Sequence, residues 1–305
     1  MLIECVPNFS EGRRPEVIQK IVSAIDSVAG VRVLHQTSDP DHNRTVVTFA
    51  GDMGAVEEAA FRGIAEAAHL IDMRQHQGVH PRIGAADVVP FVPLEGATME
   101  DCVQLAHRVG RRVADELNIS VYMYAEAATN PTRRDLADIR RGQYEGLAIS
   151  IQNDPARKPD YGPAELGSAG ATAIGARGPL IAFNVYLSTD DVQIACAIAR
   201  AIRHSSGGLR YVKAMGVPVR GRAQVSMNLT DFTRTPVYRV VEMIRREAAR
   251  YGVTIVSSEV IGLIPQSALF DAAQWYLQIE GDVAQQVLEG ALATFAQDKA
   301  EKSAP

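Results

Sequence analysis

The spacing of apolar residues spells one order of elements twice, strand–helix–strand–strand–helix–strand, and this duplication narrows the fold more than anything else in the chain. In the first half, residues 2–6 read as a short apolar strand that stops at the polar turn Pro7-Asn8-Phe9-Ser10-Glu11-Gly12. Residues 15–29 carry Val17, Ile18, Ile21, Val22, Ile25 and Val28 at helical spacing, and Gly30 punctuates the end. Residues 31–34 and 45–50 read as a strand pair around the loop Asp39-Pro40-Asp41-His42-Asn43. A helix over 53–71 and an apolar strand over 84–93 complete the unit. A further helix is predicted over 98–117, with Thr98 as N-cap and Asp101 three residues on, followed by a strand over 121–124. Residues 153–178 lack an apolar period and read as a long functional loop or a linker. The second half offers strands at 179–187, 208–215, 223–229 and 253–260, with helices at 189–204 and 235–251 and a closing segment at 266–279, helical at its start. Pro236 is expected at the first position of its helix, where its missing N–H is not needed. The fold class expected is α+β, with two ferredoxin-like halves.

A length of 305 residues exceeds what one core usually holds, so two domains are expected, 1–178 and 179–305. A net charge of -5 leaves no basic footprint for nucleic acid. Cys5, Cys102 and Cys196 are odd in number and widely spaced, which suits a reducing compartment and buried thiols better than a disulfide framework. Glu4 and Pro7 interrupt any apolar leader, and no apolar run is long enough to cross a bilayer, so a soluble cytoplasmic protein without membrane partners is expected.

The densest polar cluster is His76-Gln77-Gly78-Val79-His80-Pro81-Arg82-Ile83-Gly84. Gly78 and Pro81 oppose a helix, so the two histidines four apart do not form a zinc pair, and no metal is expected. A histidine in such a loop suits general acid–base work, and it equally suits a backbone bond that holds the loop. Arg44, at the start of a strand, presents a fork that fits a carboxylate, or else a solvated hairpin charge. Asn8 sits at a strand end of the kind that borders ligands, or in a plain turn. The stretch Gly162-Pro163-Ala164-Glu165-Leu166-Gly167-Ser168-Ala169-Gly170 lets backbone approach a flat ligand, or is a flexible link. No Walker loop, dinucleotide fingerprint or nucleophile elbow is present, so direct transfer between two bound substrates is favoured over a covalent intermediate.

Several segments together resemble the formiminotransferase family. These are Val6-Pro7-Asn8-Phe9-Ser10-Glu11-Gly12, Asn43-Arg44-Thr45-Val46, the His76–Gly84 cluster and Tyr124-Ala125-Glu126-Ala127-Ala128. Gly170-Ala171-Thr172-Ala173-Ile174-Gly175-Ala176-Arg177, Leu180-Ile181-Ala182-Phe183-Asn184 and Leu263-Ile264-Pro265 extend the resemblance along the chain. It implies transfer of a formimino group from N-formimino-L-glutamate to tetrahydrofolate as co-substrate, in histidine degradation. It also implies two ferredoxin-like subdomains with the substrates between them, a homodimer, and no deaminase activity. Carried onto this sequence, the family's catalytic histidine falls on His80 and its folate-binding loop on residues 162–170. Arg44, Arg82 and Asn8 are the candidate substrate contacts. Rival expectations are formyl transfer between 5-formyltetrahydrofolate and glutamate, a folate-binding protein without turnover, and a scaffold that keeps the motifs only for folding.

Overall fold

The computed structural model describes residues 1–293 and Phe295. The chain is mixed α/β, and its contacts divide it into two compact units, Met1–Pro179 with Ile261–Leu263, and Leu180–Val260 with the residues from Ile264 onward.

The first unit runs β1 (Leu2–Cys5), β2 (Asn8–Phe9), α1 (Pro15–Asp26), β3 (Val31–Asp39), β4 (Arg44–Asp52), α2 (Met53–Leu70), β5 (Ala86–Pro93), α3 (Met99–Leu117), β6 (Ser120–Ala125), α4 (Leu136–Ile139), α5 (Gln143–Asn153) and β7 (Ala171–Ala176). Its strands form one sheet in the order β1-β4-β2-β5-β7-β6, with β3 on the outer side of β4 and β1 also paired to β5. β1 and β2 share the place between β4 and β5, because the turn at Val6-Pro7 interrupts a single strand. The apolar stripe of α1 buries Val17, Ile18, Ile21 and Ile25, as the 3.6-residue period requires. α3 opens with a complete capping box: Thr98 Oγ1 accepts the Asp101 N–H at 3.1 Å, and Asp101 Oδ2 accepts the Thr98 N–H at 2.8 Å.

Strand alternation divides the interior into two layers. Val121 and Met123 of β6 join the core under α1, α2 and α3. Tyr122 and Tyr124 face the other way, into a smaller cluster with Ile139 of α4 and Leu147 and Ile151 of α5.

The second unit runs β8 (Ile181–Leu187), α6 (Val192–Ile202), β9 (Val212–Val219), β10 (Arg222–Leu229), α7 (Val237–Ala249), β11 (Ile255–Ile261) and α8 (Gln266–Leu277). Its sheet order is β11-β8-β10-β9, and its core is built from Ile181, Val185, Val225, Leu229, Ile198, Val240 and Ile244.

Several expectations change or sharpen. The stretch 153–178 is no continuous loop, because β7 lies within it, fully buried and parallel to both β5 and β6. α5 was not foreseen, since its apolar periodicity is weak. Pro236 takes the N-cap position and not the first helical one: its ψ of 151° is extended, and α7 begins at Val237. The closing segment 266–279 is a helix up to Leu277.

Candidate active site

The tip of the β3–β4 hairpin and the loop that follows α2 are laced together. Asp39 Oδ1 accepts the N–H groups of Asp41 and His42, each at 2.8 Å, which folds the tip back on itself. Asn43, in left-handed backbone at φ 48°, accepts from Gly12 N at 2.9 Å and donates to Gln77 O at 2.9 Å. A Cβ on Gly78 would stand 2.4 Å from His42 O, so only glycine lets the two segments approach this closely. His76 is locked there: Arg82 Nε donates to its Nδ1 at 3.1 Å, so its Nε2 carries the proton that goes to Asn43 O at 3.1 Å.

These contacts deliver His80 beside Arg44. Arg44 Nη1 is hydrogen-bonded to His80 Nε2, and His80 Nδ1 lies 2.8 Å from Pro81 O. A guanidinium can only donate, so Nε2 is the accepting nitrogen and Nδ1 bears the proton, donated to Pro81 O. His80 is therefore a neutral imidazole with its one lone pair aimed at Arg44. Burial, then the charges of Arg44 and Arg140 and the neighbouring His42, hold its basicity well below the ordinary histidine value, against a small opposing effect of the Pro81 carbonyl. The His42 and His80 rings are 5.9 Å apart, centroid to centroid.

Burial and the nearby Arg140 also disfavour the charge on Arg44, pushing its pKa down to about 9 despite the attraction of Asp87. It still carries its charge at neutral pH. Arg44 Nε is buried and has no hydrogen-bond partner among the described residues.

Behind this pair, Asp87 of β5 accepts the Ile83 N–H at 2.8 Å and is ion-paired to Arg140, the residue that ends α4. The two side chains are 3% and 12% exposed, so this is a buried charge pair. His42, Arg44, His76, His80 and Asp87 line one small concavity, with Phe9 and Ser10 also in its wall.

The other candidates are placed as follows. Arg82 is fully engaged: Nη1 donates to Gln143 Oε1 at 2.9 Å and Glu145 Oε2 at 2.8 Å, and Nη2 to Glu145 Oε1 at 2.6 Å and His76 O at 3.0 Å. With Nε on His76, all five N–H groups are used within the protein. Asn8 lies in β2, and its side chain donates to Val6 O at 2.9 Å; its neighbours Phe9 and Ser10 line the concavity instead.

The stretch 162–170 is anchored within the first unit. Ser120 Oγ donates to Pro163 O at 2.6 Å, Met73 N to Ser168 O at 2.7 Å, and Ala85 N to Ala169 O at 2.8 Å. Gly170, at φ 71°, bridges Gly84, and a Cβ there would lie 2.3 Å from Ile83 O. Its last residues thus run against the segment that carries His80, so the linker reading of this stretch does not hold.

Sequence reasoning missed His42, Asp87 and Arg140. Asp87 did leave a trace: a lone carboxylate inside the apolar run Ala86–Pro93 must be paired to be buried. Nothing local marks Arg140 as its partner. Among the described residues, no group of three or more His, Cys, Asp or Glu is arranged to hold a metal.

Two family profiles match the chain in succession: the formiminotransferase domain, N-terminal subdomain, over residues 2–177, and the formiminotransferase domain over residues 182–292. The glutamate formimidoyltransferase of Thermoplasma acidophilum is 52% identical over 284 residues, covering 92% of this chain and 93% of that protein. The Streptococcus pyogenes serotype M1 glutamate formimidoyltransferase is 46% identical over 295 residues, covering 95% and 98%. The Rattus norvegicus formimidoyltransferase-cyclodeaminase is 44% identical over 288 residues, which are 92% of this chain and 53% of the larger rat protein. With both subdomain profiles matched in order along nearly its whole length, the chain belongs to the formiminotransferase family.

Proposed function

We propose that the chain is a glutamate formimidoyltransferase, which moves the formimino group of N-formimino-L-glutamate to tetrahydrofolate and releases glutamate and 5-formiminotetrahydrofolate, a step of histidine degradation. The observation that carries this reading is the near end-to-end identity to two glutamate formimidoyltransferases, of 52% and 46%. The reading takes residues 1–178 and 179–305 as two ferredoxin-like subdomains of a cytoplasmic homodimer. The sheet orders favour that fold: β3-β4-(β1/β2)-β5 in one unit and β9-β10-β8-β11 in the other place the strands of the two units in the same arrangement.

In this reading N5 of tetrahydrofolate attacks the formimino carbon to give a tetrahedral intermediate. His80 Nε2 takes the N5 proton and returns it to the glutamate nitrogen as the C–N bond to glutamate breaks, so protons balance. A neutral, low-basicity imidazole fits the first half of this task, because it is unprotonated at neutral pH. Arg44, with its unused Nε, suits a glutamate carboxylate. Arg82 serves better as the clamp that shapes the His76–His80 loop, since its donors are spent. Residues 162–170 are assigned to the folate, as backbone held close to the catalytic segment. Asn8, bonded to Val6, is assigned to holding the turn that precedes Phe9 and Ser10.

The test is glutamate release from N-formiminoglutamate and tetrahydrofolate by the wild type and His80→Ala. The variant is expected to lose about 100- to 10,000-fold in kcat while still binding folate. Near-normal turnover would remove His80 from the chemistry. A wild type that transfers formyl but not formimino groups would overturn the donor assignment.

A further inference from the structure

We infer that Arg44 is a positioning residue that stoppers the lone pair of His80 in the free protein and yields it only when a substrate carboxylate draws the guanidinium away. The inference rests on the formimino-transfer reading and adds to it a coupling between donor binding and release of the base.

The proton on His80 Nδ1 is committed to Pro81 O, so Nε2 is the only site at which this imidazole can accept a proton. Arg44 Nη1 occupies that site. As it stands, the base is blocked, and no substrate N–H can reach Nε2 until the contact opens. An arginine–imidazole bond is between a cation and a neutral acceptor. A carboxylate offers the same guanidinium two parallel N–H···O bonds and a full opposite charge in place of one bond to a neutral ring. Arg44 Nε is buried and unpartnered, so the exchange also satisfies a donor that the free protein leaves empty.

Opening the contact changes His80 as well as uncovering it. The charged and titratable groups gathered around the ring are Arg44 from β4, His42 from the hairpin tip, Arg140 after α4 and Asp87 of β5, with His76 and Arg82 on its own loop. Among the described residues, it is Arg44 whose side chain is bonded to Nε2 itself. When its charge is paired with a carboxylate, one of the effects that suppress protonation of the ring is cancelled, and the base strengthens at the moment the donor arrives. A strengthened imidazole is also the better partner for a proton that must next be handed to the glutamate nitrogen. A folate bound alone would meet a masked base.

The experiment combines NMR with kinetics on the full chain, using Arg44→Met, which keeps length and loses charge, and Arg44→Lys, which keeps a single cation without the fork. His80 is identified among the seven histidines by its loss in His80→Gln. In the wild type its nitrogen-15 signals are expected to report the Nδ1–H neutral form, titrating well below 6.5. In Arg44→Met the titration moves up toward 6.5, whereas in Arg44→Lys it stays low. In the wild type the acid limb of kcat, which reports the substrate complex, lies at higher pH than that of kcat/KM, which reports the free enzyme. In Arg44→Met the two limbs coincide, and KM for N-formiminoglutamate rises about 10- to 100-fold in both variants, with KM for tetrahydrofolate unchanged. Far-UV circular dichroism checks that both variants fold. A His80 that titrates at one pH in wild type and Arg44→Met overturns the inference, and so do coincident limbs in the wild type. A wild type without turnover on any donor overturns the functional reading instead, and the NMR titration still decides whether Arg44 masks His80.

Discussion

Asp87→Asn changes one atom of a buried side chain and should cost far more than its size suggests. The carboxylate holds the Ile83 N–H and the Arg140 guanidinium, with its own side chain 3% exposed and that of Arg140 12%. Arg140 Nε already lacks a partner among the described residues, and Arg140 stands close enough to Arg44 to disfavour the charge there. Asparagine can still accept from Ile83, so what is lost is the countercharge. Removing one member of a buried ion pair costs about 3–5 kcal/mol, because the other charge is stranded. Against a total stability of about 5–15 kcal/mol, that is a large fraction. Arg140→Met strands Asp87 in turn, while the double variant strands nothing and should be milder than the two singles combined, with a coupling of about 2–3 kcal/mol. Urea unfolding followed by far-UV circular dichroism measures this in the first unit. The lone Trp275 lies in the second unit, so its fluorescence marks that unit's transition separately. Additivity within about 0.5 kcal/mol, or a loss below about 1 kcal/mol for Asp87→Asn, would refute the claim that this pair carries its charges buried and matched.

Gly170→Ala should lower stability by about 2 kcal/mol or more, from left-handed backbone at φ 71° and a Cβ 2.3 Å from Ile83 O. Gly167→Ala, where an added Cβ meets nothing within 4 Å, is the control, and equal thermal shifts in the two would contradict the packing argument. Glu11→Gln tests pH dependence. Burial alone would raise the Glu11 carboxyl, but the N–H groups of Arg13 and Arg14 and the Arg14 guanidinium outweigh it and hold it below 4.5. A lowered folded value stabilises above the unfolded one and is lost as pH falls through the folded one. Wild type should therefore exceed the variant by about 1–3 kcal/mol at neutral pH, with the gap closing below pH 4.5; a gap that persists unchanged in acid would show that charge is not its source.

Much of this architecture was legible in the residues. The stripe of α1, the capping box of α3 and the β3–β4 hairpin all announce themselves, because period and cap chemistry are local properties. The strand β7 did not. Its residues Ala171–Ala176 are small, with only Thr172 and Ile174 β-branched, and they become a strand because β5 and β6 supply partners on both sides. The site divides the same way. The His76–Gly84 cluster signalled a polar loop that glycine and proline keep out of a helix, which is where His80 stands. That Arg82 clamps the loop while Arg44 reaches the ring depends on contacts spanning 36 and 63 positions of chain, beyond any local pattern.

The placement of β7 also bears on how the protein is made. Val88 pairs with Ala173, a residue synthesised roughly 85 positions later, so a growing chain carries β5 and β6 for a long time before the strand that joins them leaves the ribosome. Until then the facing edges of β5 and β6 are open to any stray strand. The bridge from Gly84 to Gly170 closes only once this last piece arrives, so a nascent chain that has already displayed His80 has not yet walled the segment that holds it. Interrupted translation products ending before residue 171 should thus be prone to aggregation and should not bind ligand, which makes the short strand β7 the keystone of biosynthesis as well as of the sheet.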